Sequence, residues 1–130
     1  MQADPRYGDV VAEVRDHLEE RLRAAEDAGV PRERVILDPG IGFGKTLAHN
    51  LALLAGVPAF AALGAPVLVG ASRKGMIGAL TGREVPERMA GSLGAGLAAV
   101  ARGAAVLRVH DVRETADALA VWRAVEEVGA

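Results

Sequence analysis

Apolar residues recur in two rhythms along this chain. From about Asp9 to Ala28 they fall three and four apart: Val11, Val14, Leu18, Leu22 and Ala25 share one face, and Glu13, Asp16, Glu19, Glu20 and Glu26 lie mostly off it. That spacing predicts an amphipathic helix. Gly29 is placed to close it in a left-handed cap, and Pro31 prevents its resumption. Three short apolar runs follow, Val35–Leu37, Val67–Val69 and Ala105–Val109, each with the length and composition of a buried strand. Helical stretches separate them. One runs from about Asn50 with Leu51, Leu54 and Ala55, and Gly56 and Pro58 kink or split it. A short turn over Met76–Leu80 is closed by Gly82, and a longer helix runs from near Pro86 to Arg102 with Met89, Leu93, Leu97 and Val100 along one stripe. The last spans about Arg113 to Val128, with Ala118, Val121, Trp122 and Val125 spaced for packing.

One helix followed by three strand–helix units predicts an α/β fold with a parallel sheet and right-handed crossovers. Gly91, Gly94 and Gly96 weaken the 86–102 helix by propensity, and the plain account is that they let it lie close to a neighbour. No repeat or linker divides the chain, and 130 residues make about one domain.

Composition narrows the classes. Hydrophobic residues make up 51% and aromatics only 3%, so the core is built of Val, Leu and Ala. A net charge of −2 argues against a general binder of nucleic acid or anionic membranes. With no cysteine there are no disulfides, thiolate metal sites or Cys nucleophiles. The N-terminus, MQADPRYGDV, is charged and lacks an apolar core, so no secretory signal is read and a cytoplasmic chain is expected. The stretch between Lys45 and Arg73 carries no formal charge and is long enough to span a membrane. Gly56, Pro58, Gly64, Pro66 and Gly70 cut it into pieces, and a buried helix followed by a buried strand fits better.

The chemistry collects where the strands end. In parallel α/β sheets, ligands bind at the carboxyl ends of the strands. Those ends carry Asp38 with a glycine loop and Lys45, then Ser72-Arg73-Lys74, then Arg108 and His110. The chain is acidic overall, yet its strand ends are cationic, which predicts an anionic substrate or leaving group there. Arg108 and His110 are two apart on one strand and point the same way, a pairing suited to phosphate or diphosphate; the alternative is an ion pair with Asp111 or Glu114. Asp38 either caps the glycine loop or accepts two parallel N–H donors from a heterocycle, and the spacing does not choose between these. Phe43, flanked by glycines, is free to stack on a flat ring. His17 reads as a solvated surface residue, and His49 as a helix-start residue with no assigned role. Pro39–Thr46 nearly matches the phosphate-cradling P-loop pattern, but Pro39 replaces its first glycine and deletes a backbone donor.

LDPGIGFGKT at 37–46, GASRKGMIG at 70–78 and RVHDVRET at 108–115, supported by ERMAGSLGAG at 87–96, resemble the dihydropteroate synthase family over nearly the whole chain. The three motifs in this order separate that family from the corrinoid-dependent methyltransferases sharing its pterin-binding barrel. The resemblance implies a (β/α)8 TIM barrel, of which this chain would supply strand–helix units six to eight preceded by the fifth helix. It implies condensation of 6-hydroxymethyl-7,8-dihydropterin diphosphate with 4-aminobenzoate, with magnesium assistance. Carried over by motif, Asp38 would accept the pterin N–H and amino groups, and Lys74 would contact pterin and the aminobenzoate region. Ser72 and Phe43 would line the aminobenzoate side, Arg108 and His110 would hold the diphosphate, and Gly70 would let backbone approach the pterin. Gly75 departs from the family, which usually has a larger residue there, commonly Ser, and this puts one aminobenzoate contact in doubt.

A full barrel takes ~250 residues. The resemblance therefore implies that the earlier strands, with another pterin-binding Asp and Asn and the magnesium-binding Asn, lie outside these 130 residues. No metal ligand is assigned within the chain. Exposed sheet edges of a partial barrel invite self-association, as a homodimer or otherwise. The expectation is a half-pocket with little synthase activity alone. A P-loop-like nucleotide module and a non-catalytic partial barrel used for binding or assembly are the alternatives.

Overall fold

The computed structural model describes residues 9–129. The leaderless reading of the N-terminus rests largely on residues 1–8, which lie outside the described part. Helix α1 (Val10–Asp27) begins where Asp9 accepts a hydrogen bond from the Ala12 amide at 3.1 Å, and it buries Val10, Leu18 and Leu22. Gly29 follows at φ +94°, the predicted left-handed stop. Helix α2 (Leu47–Ala55) starts three residues earlier than its apolar pattern suggests, because Thr46 forms a capping box with His49. Gly56 and Pro58 split off α3 (Val57–Ala61) rather than kinking one long helix. Strand β1 (Leu68–Val69), helix α4 (Gly75–Thr81), helix α5 (Met89–Ala101), strand β2 (Val106–Leu107) and helix α6 (Val112–Gly129) complete the order.

Strands β1 and β2 pair in parallel, Leu68 opposite Val106 and Val69 opposite Leu107. The predicted strand 35–37 is reduced to a single parallel bridge, Leu37 to Val67. Its chain makes only the Leu37 amide bond to Pro66 O and accepts one from Leu68, both 2.8 Å. Alternation places Leu37 in the core and leaves Ile36 55% exposed on the opposite face. The ribbon thus runs 37, 67–69, 106–107, three parallel segments in chain order with helices laid along one side. This is the curved α/β segment of a TIM barrel.

One core binds these layers, centred on Leu53, Val57 and Phe60, none of which is accessible, with Leu22, Val67 and Val69 around them. Two predicted packing stripes differ from what forms. On α5 the buried positions are Ser92, Gly96 and Ala99; Leu93, Leu97 and Val100 are half-buried and Met89 is exposed. The small residues win because backbone approach is close: a Cβ on Gly91 would stand 2.4 Å from Ile77 Cγ2, and one on Gly96 3.1 Å from Leu107 Cδ1. On α6 only Thr115 is buried, and Val121, Val125 and Val128 stay largely exposed, because α6 packs chiefly on α5. Among the described residues no helix is long and apolar enough to cross a membrane.

Candidate active site

Asp38 follows the bridged segment, Gly70–Lys74 follow β1, and Arg108–His110 follow β2, so all three groups sit on one rim. Arg108 Nη2 stands 3.9 Å from Asp38 Oδ2. Arg108 and His110, with Gly70, Ser72, Lys74 and Val109, line one narrow cleft of about 110 Å3. Beside it lies a wider cleft of about 560 Å3, lined in part by Phe43, Lys45, Asn50, Lys74 and Gly75. Lys74 belongs to both. Its ammonium donates to Ile41 O and sits 4.5 Å from the Phe43 ring centroid, a cation–π contact. Phe43 is otherwise 58% exposed, as an unpacked flat ring would be.

The structure separates Ser72 from Phe43. Ser72 is buried in the narrow cleft, where its hydroxyl lies 2.9 Å from His110 Nδ1 and accepts the His110 amide at 3.2 Å. Which of Oγ and Nδ1 donates depends on the His110 tautomer; either way the pair ties the residues after β1 to those after β2. Gly70 serves a close approach here, though to a side chain: a Cβ would stand 2.8 Å from Arg108 Nη2.

Charge at the rim is dense. Burial holds the Lys74 amine below the ordinary lysine range, and the neighbouring Arg108 and Lys45 push it the same way against Asp38. Burial also lowers Lys45, again opposed by Asp38. The alternative ion pairs for Arg108 and His110 are taken elsewhere: Asp111 pairs with Arg73 at 3.1 Å and Glu114 with Arg113 at 3.5 Å. Asp38 keeps both of its readings, since Oδ1 accepts the Gly40 amide at 2.9 Å while Oδ2 faces Arg108.

The glycine loop is not arranged as a phosphate cradle. The Gly42 amide is committed to Asn50 Oδ1 at 2.8 Å and the Phe43 amide to Gly40 O, while Lys45 Nζ donates to Gly40 O and Phe43 O. A P-loop needs those amides and that lysine turned outward. Buried Asn50, a lone amide side chain among Leu51, Leu53 and Leu54, is a support that the apolar pattern marks only as a helix start. Arg73, expected as a rim cation, has its guanidinium paired with Asp111. Neither cleft has a carboxylate among its described lining residues, and no group of three His, Asp or Glu among the described residues is placed to share a metal. These residues do not fit a magnesium site of their own.

A family model described as pterin binding enzyme matches residues 1–110. The dihydropteroate synthase of Neisseria meningitidis serogroup B is 52% identical over 129 residues, covering 96% of this chain and 45% of the relative. The crystal structure of dihydropteroate synthase from Stenotrophomonas maltophilia, with imidazole in its active site, superposes with a TM-score of 0.95 at 56% identity, over 97% of this chain and 48% of that one. The Xanthomonas albilineans enzyme in complex with 7,8-dihydropteroate gives 0.92 at 57% identity, over 94% and 47%. The same enzyme is also solved with 4-aminobenzoic acid. The chain spans about half the length of the relatives it matches.

Proposed function

Because this chain belongs to the pterin-binding enzyme family, we propose that its rim is the C-terminal part of a dihydropteroate synthase active site. The observation that carries the reading is the convergence of Arg108, His110, Ser72 and Lys74 on one narrow cleft beside Asp38. In the proposed reaction the aminobenzoate nitrogen forms a C–N bond to the pterin methylene as its C–O bond to diphosphate breaks, and the nitrogen then releases one proton to solvent. The amine is already a competent nucleophile, so no covalent intermediate on the protein is needed. Charge develops on the leaving oxygens, and fixed donors there lower the barrier most. Arg108 and His110 hold the diphosphate, and Lys74 adds its charge at the junction of the two clefts. Asp38 accepts from the pterin, and Phe43 offers its face to the aminobenzoate ring. The family resemblance also brings in magnesium; its ligands would come from outside the described residues, and no role assigned here passes through it.

Titrating the chain with inorganic diphosphate in a calorimeter tests the cleft, and binding that Arg108→Ala weakens is the expected result. Absence of any diphosphate binding would overturn the reading. With both substrates at high protein concentration, the chain alone is expected to turn over far more slowly than a complete relative; equal rates would refute the half-pocket. The exposed valines of α6 support self-association as part of the same proposal. A sharp monomer in micromolar sedimentation would count against that. Pterin affinity without turnover would favour instead a partial barrel kept for binding.

A further inference from the structure

Arg73 is the only non-glycine residue with a positive φ among the described residues, at +58°. A side chain in that region is strained and persists only where the surroundings impose it. Its peptide groups are held from α5 and from Arg88, the residue that precedes it. The Arg73 amide donates to Ser92 Oγ at 2.9 Å, and Arg73 O accepts from Arg88 Nη1 at 3.0 Å. Ser92, itself buried, passes its own proton to Arg88 O at 2.6 Å, and Arg88 Nε donates to Arg83 O at 2.9 Å. On the other side the Arg73 guanidinium is anchored to Asp111. The reversal at Arg73 sends its two neighbours to different work: Ser72 to the hydrogen bonds with His110, and Lys74 across the junction of the clefts.

We infer that Arg88 and Ser92 are positioning residues that lock Arg73 in its left-handed conformation and thereby aim Ser72 and Lys74 at the rim. Neither lines either cleft. The guanidinium of Arg88 has a built seat: a Cβ on Gly78 of α4 would stand 2.2 Å from Nη2 and 2.6 Å from Cζ. An alanine at Gly78 would therefore require the Arg88 guanidinium to shift, while favouring α4 by propensity. The consequence for ligand affinity rests on the proposed diphosphate cleft, whereas the clamp itself does not.

The test compares Gly78→Ala and Arg88→Ala with the unaltered chain, using Lys74 as the reporter. Lys74 lies over Phe43, so its side-chain protons carry a ring-current shift measurable without any ligand. Both variants are expected to lose that shift while retaining helical circular dichroism, and to bind inorganic diphosphate about tenfold more weakly. A purely structural role for Arg88 would lower the melting temperature and leave the Lys74 signal in place. If Arg88→Ala does not fold, Gly78→Ala decides alone. An unchanged Lys74 shift in folded Gly78→Ala overturns the clamp, whatever happens to diphosphate. Failure of the unaltered chain to bind diphosphate would instead overturn the proposed function and leave the Lys74 comparison decisive for the clamp.

Discussion

The two loops that form most of the rim are held in opposite ways. The glycine loop is tied mostly by its own neighbours: Asp38 to Gly40, Lys45 to Gly40 and Phe43, and Asn50 to Gly42, eight residues on, with one bond from afar, Lys74 to Ile41 O. The 70–74 loop is tied by residues 15 to 38 positions away, on α5 and beyond β2. A locally held loop can keep its shape whatever surrounds it, whereas a loop held from elsewhere is only as ordered as the packing of α5 and the end of β2. The catalytic proposal therefore leans on the less autonomous of the two.

The sharpest way to break this contrast is to remove one cation from each loop's side of the rim. Arg108→Ala deletes charge-assisted hydrogen bonding in the narrow cleft and is expected to weaken diphosphate binding about 30- to 100-fold by calorimetry. Gly70→Ala should come close to the same loss, because its Cβ would occupy the space of the Arg108 guanidinium. Lys45→Ala removes a group already spent on loop carbonyls and should cost less than about fivefold. A loss at Lys45 as large as at Arg108, with ATP binding abolished, would revive the nucleotide-loop reading.

The same contrast explains what could be read from sequence. The α1 face, the Gly29 stop, the split at Gly56-Pro58 and the short α4 closed by Gly82 at φ +73° all follow from periodicity and turn chemistry acting within a few residues. The convergence of Asp38, Lys74, Arg108 and His110 was legible because parallel strands bring their ends together by rule. What escaped depends on distant partners. Nothing near Arg73 announces that Ser92 and Arg88 hold it, or that Asp111 pairs with its guanidinium. Strand 35–37 shrank to one bridge, and the α6 valines stayed exposed, because an apolar pattern records what a segment is suited to bury against and not whether a described neighbour covers it.

Glycine substitutions sharpen the comparison at a smaller scale. Gly42 has φ +87°, and a Cβ there would stand 2.8 Å from Lys74 Cδ, so Gly42→Ala is expected to cost about 1–2 kcal/mol in urea unfolding. Gly75 has open space around its missing Cβ and lines the wider cleft. Gly75→Ser, which restores the residue common in the family, should change stability by no more than about 0.5 kcal/mol. Equal penalties at the two sites would mean that the glycine loop is no more rigidly specified than its neighbour.

The smallest effect expected is a dependence on alkaline pH, and it isolates Lys74, the side chain that joins the loops. Its amine is lowered from 10.5 in the folded chain, first by burial and then by Arg108, while in the unfolded chain it returns to the ordinary value. Between those two values the unfolded state binds more protons, so stability rises with pH across that window and is lost again as pH falls through the lowered folded value. Lys74→Met lacks this titration. The stability of the unaltered chain minus that of Lys74→Met should therefore climb as pH is raised toward 10.5, with contributions from Lys45 and the other groups largely cancelling in the difference. Diphosphate affinity should move oppositely and fall over the same range as the ammonium is lost. A stability difference that stays flat would mean that Lys74 is as well solvated as a surface lysine, and then neither loop holds it at the junction of the two clefts.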